Sequence, residues 1–90
     1  MAVTVKIPTQ LRAATDGQAE LEVTGTTVGE VLDAVFEAHG TLRERITQDG
    51  DLRRFVNVYV RGEDIRFQQG LETQIDDGAE VTILPAVAGG

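Results

Sequence analysis

Residues 27–36 read TVGEVLDAVF, and this stretch decides the fold. Its apolar residues recur at intervals of three and four, the spacing that places side chains along one face of an α-helix. Thr27 and Glu30 form the Ser/Thr-x-x-Glu pattern that opens a helix, and Gly40 is placed to close it. The stretch therefore predicts one amphipathic helix that lies across a β-sheet. Its apolar stripe consists of Val28, Val31, Leu32, Val35 and Phe36.

Short runs of alternating apolar and polar residues lie on both sides of this helix, and such alternation is typical of β-strands. Pro8 ends the first run, and residues 9–18 form a loop before the second. Residues 41–54 are the least regular part, where Thr41 and Glu44 would open one short helical turn that carries apolar residues inward. The predicted strands cover residues 3–7, residues 19–23, residues 55–60, a short segment around Ile65 and Phe67, and residues 80–84.

The order of these elements predicts an α+β domain, with the helix packed on one face of a mixed sheet of four or five strands. The first two strands form an antiparallel hairpin. We expect the last strand to lie parallel beside the first, because a helix intervenes between them in sequence. Ninety residues make a single domain. We expect residues 1–85 to form its folded body and residues 86–90 to form an extended tail.

The chain is strongly acidic, with 15 acidic residues against 8 basic residues and a net charge of -7. Such a surface repels phosphate groups, so we expect neither nucleic acid nor a membrane as a partner. The charge serves either solubility alone or the steering of a basic partner, and the sequence leaves both open. Two charged surfaces are either solvated or used for docking: the acidic helix face of Glu30, Asp33 and Glu37, and the arginine cluster of Arg43, Arg45, Arg53 and Arg54.

Residues with catalytic or metal-binding chemistry are sparse. The chain has no cysteine, which excludes disulfides, thiolate catalysis and sulfur-ligated metals. The single histidine, His39, lies at the end of the predicted helix, and turn formation explains Asp76 and Asp77. We therefore expect no catalytic residue and no metal site. The N-terminal residues lack the apolar run of a signal peptide and no stretch is long enough to span a membrane, which predicts a cytoplasmic protein.

The last seven residues, 84–90, read LPAVAGG. Pro85 has no N–H group to donate, so the last strand should stop pairing there and leave five residues free. Fully extended, those residues span on the order of 15 to 20 Å, which is far enough to enter the active site of another protein. Gly89 and Gly90 have no Cβ, so the backbone can pass a narrow channel and present the Gly90 carboxylate. The alternative is an ordinary disordered terminus without a role.

Residues 77–90 read DGAEVTILPAVAGG, which is an acidic-glycine turn, an alternating strand, a proline and a Gly-Gly end. This pattern, with the order of elements before it, resembles the ubiquitin-like β-grasp sulfur carriers of the MoaD/ThiS superfamily over essentially the whole chain. More narrowly, RFVNVYV at 54–60, GEDIRF at 62–67 and AVAGG at 86–90 resemble the CysO-type carriers of actinobacterial cysteine biosynthesis. The small subunit of molybdopterin synthase is a cousin that commonly has two prolines where this chain has Pro85 and Ala86.

The resemblance implies a β-grasp fold and a cycle that other proteins carry out at Gly90. An adenylyltransferase and sulfurtransferase similar to the ubiquitin-activating enzymes would use ATP and Mg²⁺ to adenylate the Gly90 carboxylate, and a sulfur donor would then displace AMP to leave a thiocarboxylate. A PLP-dependent cysteine synthase would accept the sulfur, and a zinc metallopeptidase would release cysteine. The ATP, magnesium, PLP and zinc would be bound by those partners, and no cofactor would be bound by this chain.

The resemblance leaves the acceptor of the sulfur open. It could be a synthase of a thiosugar or another specialised metabolite, or the large subunit of molybdopterin synthase. Two other classes remain: a protein modifier that forms isopeptide bonds through Gly90, and a binding domain whose tail is incidental. For a carrier, we expect partners to contact the exposed sheet face around Tyr59 and Phe67. The residues inserted into partner active sites would be Pro85, Ala86, Val87, Ala88, Gly89 and Gly90.

Overall fold

A computed structural model describes residues 2–49, 51–53 and 56–85. Within those ranges the chain forms seven strands and two α-helices, joined in part by short 3-10 helices. The helices are α1, Val28–Ala38, and α2, Gly40–Ile46. The strands are β1, Ala2–Lys6; β2, Glu20–Thr24; β3, Thr47–Gln48; β4, Asp51–Leu52; β5, Val56–Val60; β6, Glu63–Asp64; and β7, Glu80–Pro85.

Five of these strands form one mixed sheet in the order β2-β1-β7-β5-β6. β1 pairs antiparallel with β2 and parallel with β7, with Val5 opposite Val81 in the parallel pair. β5 then pairs antiparallel with β7 and with β6. The predicted mixed sheet is therefore confirmed, and so is the parallel position of the last strand beside the first. The remaining strands, β3 and β4, form a separate small hairpin.

The core lies between one face of this sheet and the two helices. All five residues of the predicted α1 stripe are buried, which confirms the helix and the face it presents. In β5 the burial alternates: the three valines are buried, whereas Asn57 and Tyr59 on the other face are only partly covered. Phe55, which we predicted on that other face, lies outside the described residues. The strands contribute to the core Val3, Val5, Val56, Val58, Val60, Val81 and Ile83.

The start of α1 uses the two residues that the sequence indicated, together with one more. The Thr27 hydroxyl accepts a hydrogen bond from the Glu30 backbone N–H at 3.2 Å, as an N-cap should. The Glu30 carboxylate accepts bonds from the backbone N–H and the hydroxyl of Thr26, each at 2.9 Å. It therefore caps one residue earlier than the usual capping box. The two hydrogen bonds from Thr26 lower the pKa of Glu30 below its usual value of 4.5, and the bond from the backbone N–H has the larger effect.

The expected end of the helix was wrong, because Gly40 begins α2 instead of closing α1. His39 forms the junction, with its backbone N–H donating to Val35 O at 2.8 Å and its carbonyl accepting from Leu42 N at 3.0 Å. Thr41 does not cap α2, whose N-cap is His39 without a side-chain bond. The inward direction of the apolar residues is confirmed, since Leu42 and Ile46 are both fully buried. Burial of that pair extends the expected single turn into a helix.

Two further segments differ from the prediction. Residues Thr9–Thr15, expected to be an irregular loop, form a 3-10 helix that buries Leu11. The expected strand around Ile65 and Phe67 is restricted to Glu63–Asp64, and Ile65–Phe67 is a 3-10 turn. The reason lies in Asp64, whose carboxylate accepts from Arg66 N at 2.8 Å and so draws the backbone out of the strand ladder.

The boundary between the predicted body and the predicted tail falls at Pro85, where β7 ends with its backbone opposite Val56. Residues 86–90 lie outside the described residues, so the extended tail stays a prediction. Within the described ranges, no helix combines the length and the apolar character needed to cross a bilayer.

Adjacent residues of β7 provide a test of which face holds the core. Ile83→Ala should cost about 2–5 kcal/mol of unfolding free energy, because Ile83 is fully buried and its removal leaves a cavity. Leu84→Ala should cost about 1 kcal/mol or less, because Leu84 points out of the core and is 44% exposed. Urea denaturation of both variants measures the difference. Equal losses would contradict the assignment of the two faces.

The lowered pKa of Glu30 predicts a pH-dependent contribution to stability. Because the folded protein favours the charged carboxylate, its contribution is present above the ordinary pKa and is lost as the pH falls through the lowered one. Wild type should therefore be slightly more stable than Glu30→Gln at neutral pH, and the difference should shrink in acid. Urea denaturation across this pH range measures it. Glu37→Gln on the same helix is the control, because no described residue donates a hydrogen bond to Glu37. If stability depends on pH in the same way in both variants, the explanation is refuted.

Candidate functional site

The candidate site is the end of β7, which we call the tail exit and define as Leu84 and Pro85. Because β1 and β7 are parallel, both strands finish at the same edge of the sheet. β5 runs in the opposite direction and begins at this edge, with Val56 opposite Pro85. The chain therefore leaves the sheet between β1 and β5, from its central strand. Any segment that follows is attached to a strand that is paired on both sides.

The sheet face that points away from the helices carries polar side chains and one exposed leucine. Across the strands, Tyr59 lies opposite Thr82, and Asn57 lies opposite Leu84. An open groove of about 340 Å³, which we call the outer groove, runs along this face. It is lined by Tyr59, Arg61, Gly62, Ala79, Glu80, Thr82 and Leu84. The arrangement offers a shallow surface for contact with another protein, next to the tail exit.

The structure separates the two residues that we predicted as partner contacts. Tyr59 is partly buried on the outer face and lines the outer groove with Leu84. Phe67 is 81% exposed, but it lies on the 3-10 turn beyond β6 and is not among the residues that line the groove. Their roles in binding stay predictions. The sequence analysis missed Leu84 as a surface residue, although strand alternation with Ile83 inside already places it outside.

The predicted tail residues 86–90 lie outside the described residues, so their path and contacts are not part of this geometry. Of the segment that we expect to enter partner active sites, the structure describes only the backbone of Pro85 at the end of β7. The insertion of this segment stays a prediction.

Asp76 and Asp77 take part in turn contacts at the opposite end of β7. The Asp77 carboxylate accepts a bond from Ala2 N at 2.9 Å, and Asp76 lies 3.9 Å from Arg61. Both contacts hold the turn before β7 in place. Among the described residues, no three His, Cys, Asp or Glu side chains lie together as a metal site would require.

The arginine cluster of the sequence analysis is divided among several intramolecular contacts. The Arg43 guanidinium lies over the Phe36 ring, 5.1 Å from its centroid. Arg53 Nε donates to Glu44 O at 2.8 Å. Arg54 lies outside the described residues. Two of the four arginines thus stabilise the packing around α2, and docking by this cluster stays a prediction, as does docking by the acidic face of α1.

Comparison with known proteins extends over the whole chain. The model of the ThiS family matches residues 5–90. The sulfur carrier protein CysO of Mycobacterium tuberculosis is 50% identical over 93 residues, which cover 100% of both proteins. Small archaeal modifier protein 3 of Haloferax volcanii is 38% identical over 64 residues, covering 71% of this chain and 70% of that protein. A chain in the crystal structure of the Amycolatopsis orientalis BexX/CysO complex is 50% identical, with a TM-score of 0.92 and coverage of 98% of this chain and 99% of that chain.

The strand order, the helices on one face and this superposition define a ubiquitin-like β-grasp domain. The chain belongs to the ThiS family, and the Mycobacterium relative that it matches from end to end is a sulfur carrier protein. The resemblance inferred from residues 54–67 and 77–90 is therefore confirmed.

A substitution in the outer groove tests its use as a contact surface. Tyr59→Ala should leave the domain folded, because the Tyr59 side chain lies on the face opposite the core. If the groove receives a partner, the affinity should fall by roughly thirtyfold, the typical effect of truncating an aromatic hot spot. Titration calorimetry with the protein's own activating enzyme measures this affinity. Unfolding of the variant would instead assign Tyr59 to the core, and unchanged affinity would remove the groove from the interface.

Proposed function

We propose that this protein is a sulfur carrier that holds sulfur as a thiocarboxylate on Gly90, and that it is a substrate of other enzymes instead of a catalyst. The observation that carries the proposal is the end-to-end match, at 50% identity, with a sulfur carrier protein of the same family. The position of the tail exit supports it, because a segment leaving the central strand is held firmly at its base.

The chemistry begins with activation of the carboxylate by a ubiquitin-activating-like adenylyltransferase. An oxygen of the Gly90 carboxylate attacks the α-phosphorus of ATP, which forms an acyl adenylate and releases pyrophosphate. A sulfur donor then attacks the acyl carbon and displaces AMP, so that one carboxylate oxygen is exchanged for sulfur. The activating enzyme supplies ATP and Mg²⁺ for these steps, and this chain supplies the acyl group.

The composition of the chain suits this chemistry. An acyl adenylate reacts with thiols, and the chain contains no cysteine that could attack its own activated end. The sulfur is carried on the acyl group, so no thiol side chain is needed. The folded body would bind the partner and position the tail. Residues 86–90, when extended, would place the acyl carbon on the order of 15 Å beyond the tail exit.

For the acceptor we propose a PLP-dependent cysteine synthase. The new cysteine would be left as an amide on Gly90 of the carrier, and a zinc metallopeptidase would hydrolyse that amide to release cysteine and restore the Gly90 carboxylate. The structure with a TM-score of 0.92 is a complex of CysO with a second protein, BexX, which supports binding of the carrier to a partner protein. As a second candidate acceptor we propose the synthase of a thiosugar or another specialised metabolite. Pro85 followed by Ala86 makes the large subunit of molybdopterin synthase a less suitable acceptor.

A different class of function, protein modification, is favoured by the match to a small archaeal modifier protein. In that case the activated Gly90 would be attacked by a lysine amine, which forms an isopeptide bond and releases AMP or a thiol. That relative is 38% identical to this chain, whereas the sulfur carrier is 50% identical over the whole chain, so sulfur carriage is the preferred function.

Intact mass spectrometry after incubation with the activating enzyme, ATP, Mg²⁺ and sulfide tests the proposal. We expect the mass to increase by the difference between one sulfur and one oxygen atom, and fragmentation to place the change on Gly90. Deleting Gly90 should reduce the loading by about a hundredfold or more, because the acyl group is displaced from the reacting atoms. Ala13→Gly, a change at an exposed position far from the terminus in sequence, is the matched control and should load normally. Adducts on lysines of other proteins, without sulfur gain, would establish the modifier function instead.

A further inference from the structure

Cationic side chains lie on both sides of the tail exit, although the chain as a whole carries a net charge of -7. Two arginines that lie far apart in sequence, Arg12 and Arg66, approach this edge of the sheet from its two sides. Arg66 is anchored to the backbone of β5, and Arg12 is anchored to the residue that follows β1. Neither was predicted as a functional residue from the sequence.

Arg12 marks the β1 side of the exit. Its Nε donates to Ile7 O at 3.1 Å, just beyond the end of β1. It also lines an open recess of about 190 Å³ beside Leu84. None of the described carboxylates forms an ion pair with Arg12, and its two Nη groups donate to no described residue. Lys6 lines the same recess, but its charge is balanced by Glu80 at 3.5 Å.

Arg66 marks the β5 side of the exit. Its Nη2 donates to Val56 O at 2.8 Å and to Arg53 O at 3.0 Å, and its Nη1 donates to Asn57 Oδ1 at 2.7 Å. Val56 and Asn57 are the residues that pair with the exit itself. Asp64 lies 3.7 Å away and offsets part of the charge. The side chain is therefore held in one orientation and remains exposed.

The exposed Leu84 side chain lies between these two positions, since β7 separates β1 from β5. A contact at a single point would leave a docked carrier free to rotate about the axis of its tail. Contacts on both sides of the tail fix that rotation. The Nη groups of Arg12, which donate to no described residue, suit a carboxylate because they are planar donors of defined geometry. Arg66 already donates through its Nη groups within the domain, so it would contribute its exposed positive charge.

We propose that Arg12 and Arg66 bind carboxylates on the activating enzyme, at the rim of the channel through which residues 86–90 pass. This inference rests on the proposed function and adds the chemistry of the interface. An acidic rim would repel most of this acidic carrier and attract only the tail exit, so the tail would approach the channel first. Leu84 would add an apolar contact between the two ion pairs.

The test is the dependence of adenylation on carrier concentration, measured by pyrophosphate release with the activating enzyme of the same organism. Arg12→Gln should raise KM roughly fivefold to tenfold and leave kcat unchanged, because a rim contact acts on docking and not on the reacting atoms. The matched control is Arg43→Gln, the same change of charge on α2, where the guanidinium lies over the Phe36 ring and lines neither the outer groove nor the recess beside Leu84. It should change KM by less than about twofold.

Two further measurements keep the test independent of folding. Arg66→Lys retains the charge but cannot reproduce the forked hydrogen bonds, and it should raise KM by roughly threefold, provided that urea denaturation shows it folded. The second measurement is the salt dependence of KM. The KM of wild type should rise with salt concentration, because salt screens the ion pairs, and the KM of Arg12→Gln should rise less.

The outcomes separate this inference from the proposed function. If wild type gains sulfur, yet Arg12→Gln matches Arg43→Gln in KM and salt leaves the KM of wild type unaffected, the proposed acidic rim is refuted and the carrier function stands. If wild type is not adenylated at all, the proposed function fails and this inference fails with it.

Discussion

The parallel pairing of β1 with β7 is the contact on which the other features of the structure depend. It is reinforced where the pair begins by a bond of 2.9 Å from Ala2 N to Asp77 Oδ1, across a sequence separation of 75 residues. Joining such distant segments costs conformational entropy, and burial of apolar side chains must offset that cost. Val5 and Val81, in register and fully buried, contribute to that burial. Because β7 cannot leave the sheet without exposing the core, the tail exit stays at the centre of the edge.

This constraint separates stability from function within one strand. Side chains on the inner face of β7, such as Ile83, pack in the core, whereas Thr82 and Leu84 on the outer face are available to a partner. Changes in the outer face or the tail therefore need not disturb the fold. Such a division suits the proposed function, in which other enzymes would form the reactive group and the body would have only to hold and orient the segment that carries it.

Local patterns predicted the fold well wherever a whole element obeyed one period. The α1 stripe, the hairpin of β1 and β2 and the alternation of β5 are all as expected. The errors fell where a single side-chain bond or the burial of two residues competes with the pattern. Asp64 ends β6 early by capping a 3-10 turn, and burial of Leu42 and Ile46 turns the segment after Gly40 into a helix. In such places the favoured conformation depends on neighbours that are distant in sequence.

The sequence by itself determined which face of each long element is buried, because local geometry converts the spacing of residues along the chain directly into faces. It also indicated the family, through the resemblance of residues 54–67 and 77–90. Only the tertiary structure decided what surrounds the tail exit. Arg12 and Arg66 belong to separate 3-10 segments, and they flank Leu84 because β7 is inserted between β1 and β5. No local pattern encodes that neighbourhood, since it arises from strand pairing between distant parts of the chain.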